Sequence, residues 1–308
     1  MLCFLLPLGT WILLRIHRES VRILKGHHSY IGTVLFTNDS RMVVSGSEDG
    51  TIRLWDVATS SSLRTMDSRD GCYWLALAPD GRLLAATGGP SGTNPHAIVL
   101  WDLATGRRFK TLKEPEEYVG VPVFNPGSSQ TLATSSHVWN IASGAEVRAY
   151  PDHSIYAFSA DQRVVVALGP GKTVDVLDRE SGKPIHTFTV DSFFEQSLSL
   201  SPDGRFLAGV AGEKRIAIWD VTTGQTLRTL TVRSGLRVIQ FDRDGSALAS
   251  GGDEGTIELW ETGTGHLLRT LPGHKGGTNT IAFSPDGRWL ASGGADGIVR
   301  VWPLKGNS

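Results

Sequence analysis

The chain is predicted to be all-β, a succession of seven four-stranded units in the manner of a propeller, and three observations predict it. The first is a tryptophan period. Six of nine tryptophans end short β-like runs: "TIRLWD" (Trp55), "AIVLWD" (Trp101), "HVWN" (Trp139), "RIAIWD" (Trp219), "TIELWE" (Trp260) and "GIVRVW" (Trp302). "TVDVLD" supplies Leu177 in the one vacant place, and the spacings become 46, 38, 38, 42, 41 and 42 residues. Self-similarity at such a period marks a repeat architecture. The second is a turn and strand upstream of each run, clearest in "SPDGRFLAGV" (201–210) and "SPDGRWLASG" (284–293). Asp-Gly between apolar runs is a hairpin signal, since Gly reaches positive φ freely. The third is a Gly-bearing turn and a further strand downstream, as in "TGQTLRTL" (223–230). Helical periodicity is absent, and many short, evenly spaced strands favour a propeller over a sandwich.

The units follow in order. "TNDSRMVVSG" (37–46) opens the first hairpin of unit 1, and "APDGRLLAAT" (78–87) that of unit 2, whose second hairpin, "GGPSGTNPHA" (88–97), is long. Unit 3 has "NPGSSQTLAT" (125–134) and a shortened second hairpin in "TSSHVW". Unit 4 has "SADQRVVVAL" (159–168), then "LGPGKT" (168–173), and lacks the Trp. Unit 5 is regular, unit 6 carries "DRDGSALASG" (242–251), and unit 7 ends at Trp302 with only "PLKGNS" beyond it.

Gly26-His27, "SGSEDGTIRLWD" (45–56), "SPDGRWLASGGADG" (284–297) and Gly273-His274 resemble WD40 repeats over about residues 19–302. The resemblance implies a seven-bladed propeller of antiparallel four-stranded blades, with the Trp near the end of the third strand. It also places the opening strand. "SVRILKGH" aligns with "TLRTLTVR" (226–233) and "LLRTLPGH" (267–274), which are outer strands elsewhere. A strand over 20–24 is therefore expected in blade 7, antiparallel to one near 298–302, closing the ring and removing an exposed edge. The expected boundaries are a leader at 1–18, a propeller at 19–304 and a tail at 305–308.

Composition narrows the function. Lys plus Arg is 30 against 31 for Asp plus Glu, so there is no basic footprint for nucleic acid. Cys3 and Cys72 are the only cysteines, and nothing has zinc-ligand spacing. His27, Ser45 and Asp49 occur together, as do His274, Ser292 and Asp296, which invites a Ser-His-Asp reading. The resemblance implies instead that each set, with Trp55 or Trp302, is a hydrogen-bond chain inside a blade. "LGPGKT" imitates a phosphate loop, but Val166 stands where a Gly is needed and a strand follows. "FDRDGS" (241–246) has no Glu at the twelfth position of a calcium loop. Asn38-Asp39-Ser40 is a glycosylation sequon in a hairpin turn.

Strand alternation offers two sets to the central channel. One is Thr33, Trp74, Val121, Ile155, Ser197, Val238 and Thr280, and the other is Leu35, Ala76, Val123, Ala157, Ser199, Gln240 and Ala282. They contain no carboxylate pair, His cluster or cysteine, which argues against a catalytic or metal centre. Three residues after His27, the aligned positions at one rim are Tyr30, Gly71, Tyr118, Asp152, Phe194, Gly235 and Gly277. With Tyr73, Trp74, His153, Phe193 and Arg237 nearby, this rim is the candidate partner site, since aromatics and Arg favour interaction hot spots. The family implies the same rim.

The leader "MLCFLLPLGTWILLRI" is apolar for 14 residues before Arg15, short of the about 20 that a spanning helix needs. It lacks the basic opening and small-residue end of a secretory signal. Three readings stand: a short membrane anchor through residues 2–14, the remnant of a longer span, or an apolar flap on the propeller edge. As an anchor, Arg15 and Arg18 would place the propeller in the cytoplasm.

The expected function is a non-enzymatic, monomeric propeller without cofactor or metal that binds other proteins. The "DLATGR" and "DVTTGQ" connections look like bacterial WD40 proteins, often appended to membrane-bound protein kinases. The alternatives are the WD40 portion of such a kinase, or an enzyme or ligand sensor with its site at the propeller mouth.

Overall fold

The computed structural model describes residues 20–68, 72–88, 97–114, 119–190 and 196–304. The leader, the tail and most of the long blade 2 hairpin lie outside them. Seven antiparallel four-stranded sheets form the blades of a propeller. Within a blade the strands are a to d from the axis outward; blade 1 has Ile31–Phe36, Met42–Ser47, Thr51–Asp56 and Ser62–Asp67. No helix long and apolar enough to cross a membrane occurs among the described residues.

The ring closes as the opening strand predicts, with a shift at its start. Strand d of blade 7 is Arg22–Lys25, antiparallel to Ile298–Pro303, with Arg22 opposite Val301 and Lys25 opposite Ile298. Leu24 is fully buried beside Val299, Val301 and Trp289 of blade 7 and Ile31 and Val34 of blade 1. Burying such a side chain stabilises by about 1.5–3 kcal/mol. The other apolar clusters repeat the scheme, each gathering residues of two neighbouring blades. The core is thus a set of wedges between sheets.

A second device joins the blades at the outside. In every strand d one basic residue reaches a carbonyl of the next blade, in its c–d turn for blades 1 to 6 and at the end of strand c for blade 7. Arg22 reaches Ala58 O at 2.6 Å, Arg64 Ala104 O at 2.7 Å, Lys110 Ala142 O at 2.7 Å and Arg148 Glu180 O at 2.9 Å. His186 Nε2 meets Thr222 O at 2.8 Å, Arg228 Gly263 O at 2.7 Å and Arg269 Pro303 O at 2.8 Å. These are the basic positions of "LRTL"-type strands; six are of intermediate exposure and Arg228 is exposed, which leaves the head group free to span the seam. All seven junctions carry the clamp.

The channel differs from the alternation reading. Thr33, Trp74, Ile155, Ser197, Val238 and Thr280 are buried, while Leu35, Ala76, Val123, Ala157, Gln240 and Ala282 are half-buried. The buried hydroxyls bind neighbouring inner strands. Thr33 Oγ1 donates to Tyr73 O at 2.9 Å, and Thr280 Oγ1 accepts from Val34 N at 3.2 Å. The register of strand a shifts between Ile31 and Thr33, Leu236 and Val238, and Thr278 and Thr280. Such a bulge re-aims the extra residue and breaks simple alternation.

Candidate partner-binding rim and channel mouth

The rim is shaped by staples that tie five of the loops between strand d of one blade and strand a of the next. In blade 1, His27 Nδ1 lies 2.9 Å from Asp49 Oδ2 and Nε2 lies 2.8 Å from Ser45 Oγ, which accepts from Trp55 Nε1 at 2.8 Å. Blade 7 repeats this through His274, Asp296, Ser292 and Trp302, at 2.9, 2.8 and 3.0 Å. Ser45 and Ser292 are both fully buried, so neither hydroxyl can meet a substrate carbonyl. The arrangement satisfies buried polar groups. Gly273 admits the loop to blade 7: a Cβ there would lie 1.4 Å from Gly255 O.

Burial alone would raise the Asp296 carboxyl, but the His274 hydrogen bond and the Arg300 guanidinium, 2.8 Å away, hold it well below the usual range. Burial pushes the His274 imidazole down, against the pull of Asp296.

Three further blades carry staples that the sequence reading did not single out. His153 Nε2 lies 3.1 Å from Asp175 Oδ2 in blade 4. The separation is 22 residues, as for His27 with Asp49 and His274 with Asp296, although Asp175 sits in strand c instead of the hairpin. That spacing was the available signal. In blade 3 the polarity is reversed: His137 Nδ1 lies 2.7 Å from buried Glu114, and Trp139 Nε1 donates to Thr134 Oγ1 at 3.1 Å. In blade 6, Arg233 Nε lies 3.3 Å from Glu258, whose carboxyl is raised by burial.

On this scaffold Tyr30 is 50% exposed. Tyr73 is half-buried, its ring edge-on to Trp74 with centroids 4.5 Å apart. Trp74 is only 6% exposed and offers a partner little surface. Gly32 makes room for Tyr73, because a Cβ there would fall 2.5 Å from Tyr73 O. His153 is held by Asp175 and by Pro151 O. Asp152, one of the aligned rim positions, has φ of 64°, the left-handed region that a non-glycine residue seldom enters. Tyr118 and Phe194, with Gly71 and Phe193, lie outside the described residues.

Arg237 is engaged within the protein. Its Nε donates to Asp253 Oδ1 at 2.6 Å, and Nη1 donates to Asn279 Oδ1 at 3.0 Å and Gly276 O at 3.2 Å. Asn279 Nδ2 donates to Ile31 O at 3.3 Å, and Gln196 Nε2 reaches Gly32 O of blade 1 at 2.7 Å. Gln196 belongs to blade 5, which is not a neighbour of blade 1, so its side chain crosses the channel mouth. Arg237 and Asn279 are the bulge residues of blades 6 and 7, which is why alternation missed this polar belt. Among the described residues no three His, Cys, Asp or Glu side chains group to hold a metal ion.

The comparisons agree with this architecture. The chain is 28% identical over 211 residues to nuclear distribution protein nudF of Aspergillus niger, covering 68% of this chain and 43% of that protein. It is 26% identical over 223 residues to WD repeat-containing protein slp1 of Schizosaccharomyces pombe, covering 69% and 38%. THO complex subunit 3 of Arabidopsis thaliana is 22% identical over 233 residues, covering 71% and 72%. The chain spans less than half the length of the nudF and slp1 relatives. The family model described as "WD domain, G-beta repeat" matches residues 18–56, 182–220, 224–261 and 265–303. The first match joins the outer strand of blade 7 to blade 1, so each sequence repeat is offset from its blade by one strand. With seven blades and these matches, the chain belongs to the WD40 repeat family.

Proposed function

We propose that the chain is a non-catalytic interaction platform that binds other proteins across the rim around the channel mouth. The observation that carries this reading is the placement of Tyr30 on a loop fixed by the His27 staple, beside Tyr73, whose backbone carbonyl is held by Thr33 and whose ring packs on Trp74. Rigid aromatics of this kind supply contact area at low entropic cost. The buried Ser45 and Ser292 favour it over an enzyme reading. Affinity capture with mass spectrometry, run on wild type and a Tyr30→Ala, Tyr73→Ala variant, tests it. Loss of specific partners with unchanged melting supports the rim; an identical captured set removes it.

A bacterial signalling role, beside a membrane-bound kinase, rests on the phrase-level likeness of "DLATGR" and "DVTTGQ" alone. An upstream kinase reading frame in the genome of origin would support it. Attachment of a cytoplasmic propeller to a membrane rests on the apolar run at residues 2–14. Removing residues 1–16 and fractionating the product tests that reading, and sedimentation tests the monomeric state.

A further inference from the structure

We propose that the groove between blades 6 and 7 is a second docking site, distinct from the rim, for an extended segment of a partner protein bearing Lys or Arg beside an apolar side chain. The groove encloses about 810 Å³, against about 430 Å³ for its counterpart between blades 1 and 2. The enlargement has a named cause. Ala247 opens strand b opposite Glu261, where blade 1 has Met42 opposite Asp56. The aligned residues of the other blades are Leu83, Thr131, Val164, Phe206 and Trp289, all larger than Ala247. The cleft that results is lined by Leu259, Phe283 and Leu304, and by Leu268, which is 58% exposed.

The charge of the groove also departs from its siblings at the same blade. In four a–b turns a hydroxyl donates to the carboxylate two residues on, each at 2.6 Å: Thr37 to Asp39, Ser159 to Asp161, Ser201 to Asp203 and Ser284 to Asp286. Blade 6 has Asp242 in that place, beside Asp244. Two carboxylates therefore share a turn that in those four blades holds one carboxylate and its hydroxyl donor, and here Ser246 Oγ donates to Asp242 Oδ2 at 3.0 Å. Burial, with Asp244 close by, raises the Asp242 carboxyl, and an arriving cation would relieve that cost. Asp286 stands across the groove. The nearby guanidiniums are already turned to carbonyls: Arg243 Nη1 donates to Pro285 O at 2.9 Å and Arg269 Nη1 to Pro303 O at 2.8 Å. An apolar floor beside an excess of carboxylate matches a basic side chain whose neighbour is apolar.

The test is an array of blocked hexapeptides in which one Lys, Gln or Glu adjoins one Leu, Ile or Phe, followed by anisotropy titration of the best binder. The expected result is saturable binding of Lys peptides at least ten-fold tighter than their Glu counterparts, weakening as salt rises. Asp242→Ser, the residue three siblings carry, should abolish the Lys preference, and Ala247→Met should weaken binding at least ten-fold. Both install residues that sibling blades accept, and circular dichroism verifies the fold. Absence of saturable binding, equal binding of Lys and Glu peptides, or binding unchanged in either variant overturns the proposal. Self-association that disappears in Asp242→Ser would assign the groove to a second copy of the chain and also overturn it. The Tyr30→Ala, Tyr73→Ala variant should keep peptide binding, so this proposal and the rim reading fail separately.

Discussion

Arg22 donates to the carbonyl of Ala58, 36 residues further along the chain, at 2.6 Å. The two residues lie on opposite sides of the seam between blade 7 and blade 1, and the same guanidinium sits 4.6 Å from the centroid of the Trp289 ring. The first strand of the fold thus fastens the ring twice, by pairing within blade 7 and by a clamp onto blade 1.

Arg22→Ala is expected to destabilise by about 1–2 kcal/mol, the order of a part-exposed charged hydrogen bond. Lys at this position should recover part of the loss, because Lys110 makes the equivalent contact in blade 2. Denaturant unfolding measures both, and equal stability of Arg22→Ala and wild type would rule the clamp out as a stabilising contact.

Asp296→Ala should cost about 1–3 kcal/mol, since it leaves His274 buried without its carboxylate and Arg300 without its partner. An unchanged denaturation curve would contradict this. The equivalent Asp49→Ala should behave alike, because its contacts to His27 have the same geometry.

The pH dependence follows from the direction of the His274 shift. Its folded value lies below the ordinary 6.5, so between the two values the unfolded chain binds the extra proton. Stability should therefore be full above about pH 6.5 and fall as the pH drops through that value. For Asp296 the folded value is lowered, and its contribution is lost only below the ordinary 3.8 as the pH falls through the folded value. Urea midpoints from pH 4 to 8, with proton NMR of His274, check the first window; an NMR titration at or above 6.5 would refute it.

Cys72 is 1% exposed and burial pushes its thiol up to about 12. In a Cys3→Ser background, a thiol reagent at neutral pH should label the protein only on unfolding. Rapid labelling of the native protein would show that this seam between blades 1 and 2 opens.

Gly32→Ala tests the channel mouth. A Cβ there meets backbone at Tyr73, so the substitution should cost about 1–3 kcal/mol and displace Tyr73. Tryptophan fluorescence should report the change through Trp74, which packs against the Tyr73 ring.

The sequence by itself determined the number of blades, the closing strand and two of the staples. The blades rest on a Trp period and the closing strand on an outer-strand pattern ending in Gly-His, while the two staples came through the resemblance of their motifs to WD40 repeats, in which His27 and His274 each stand 22 residues before their Asp. It also carried the blade 4 staple at the same spacing, unread because Asp175 lies within a strand and not in a hairpin. The reversed pair Glu114 and His137, and the pair Arg233 and Glu258, share no motif with blade 1 and emerge only where folding places them. Tertiary structure alone decided the channel mouth. A bulge adds one residue to a strand, and that residue's direction depends on the partner strand, so Arg237 and Asn279 escaped a count by twos. The clamps were equally hidden. Their basic residues are visible in every outer strand, but a carbonyl acceptor has no side-chain identity, and only the juxtaposition of blades shows which one each residue meets.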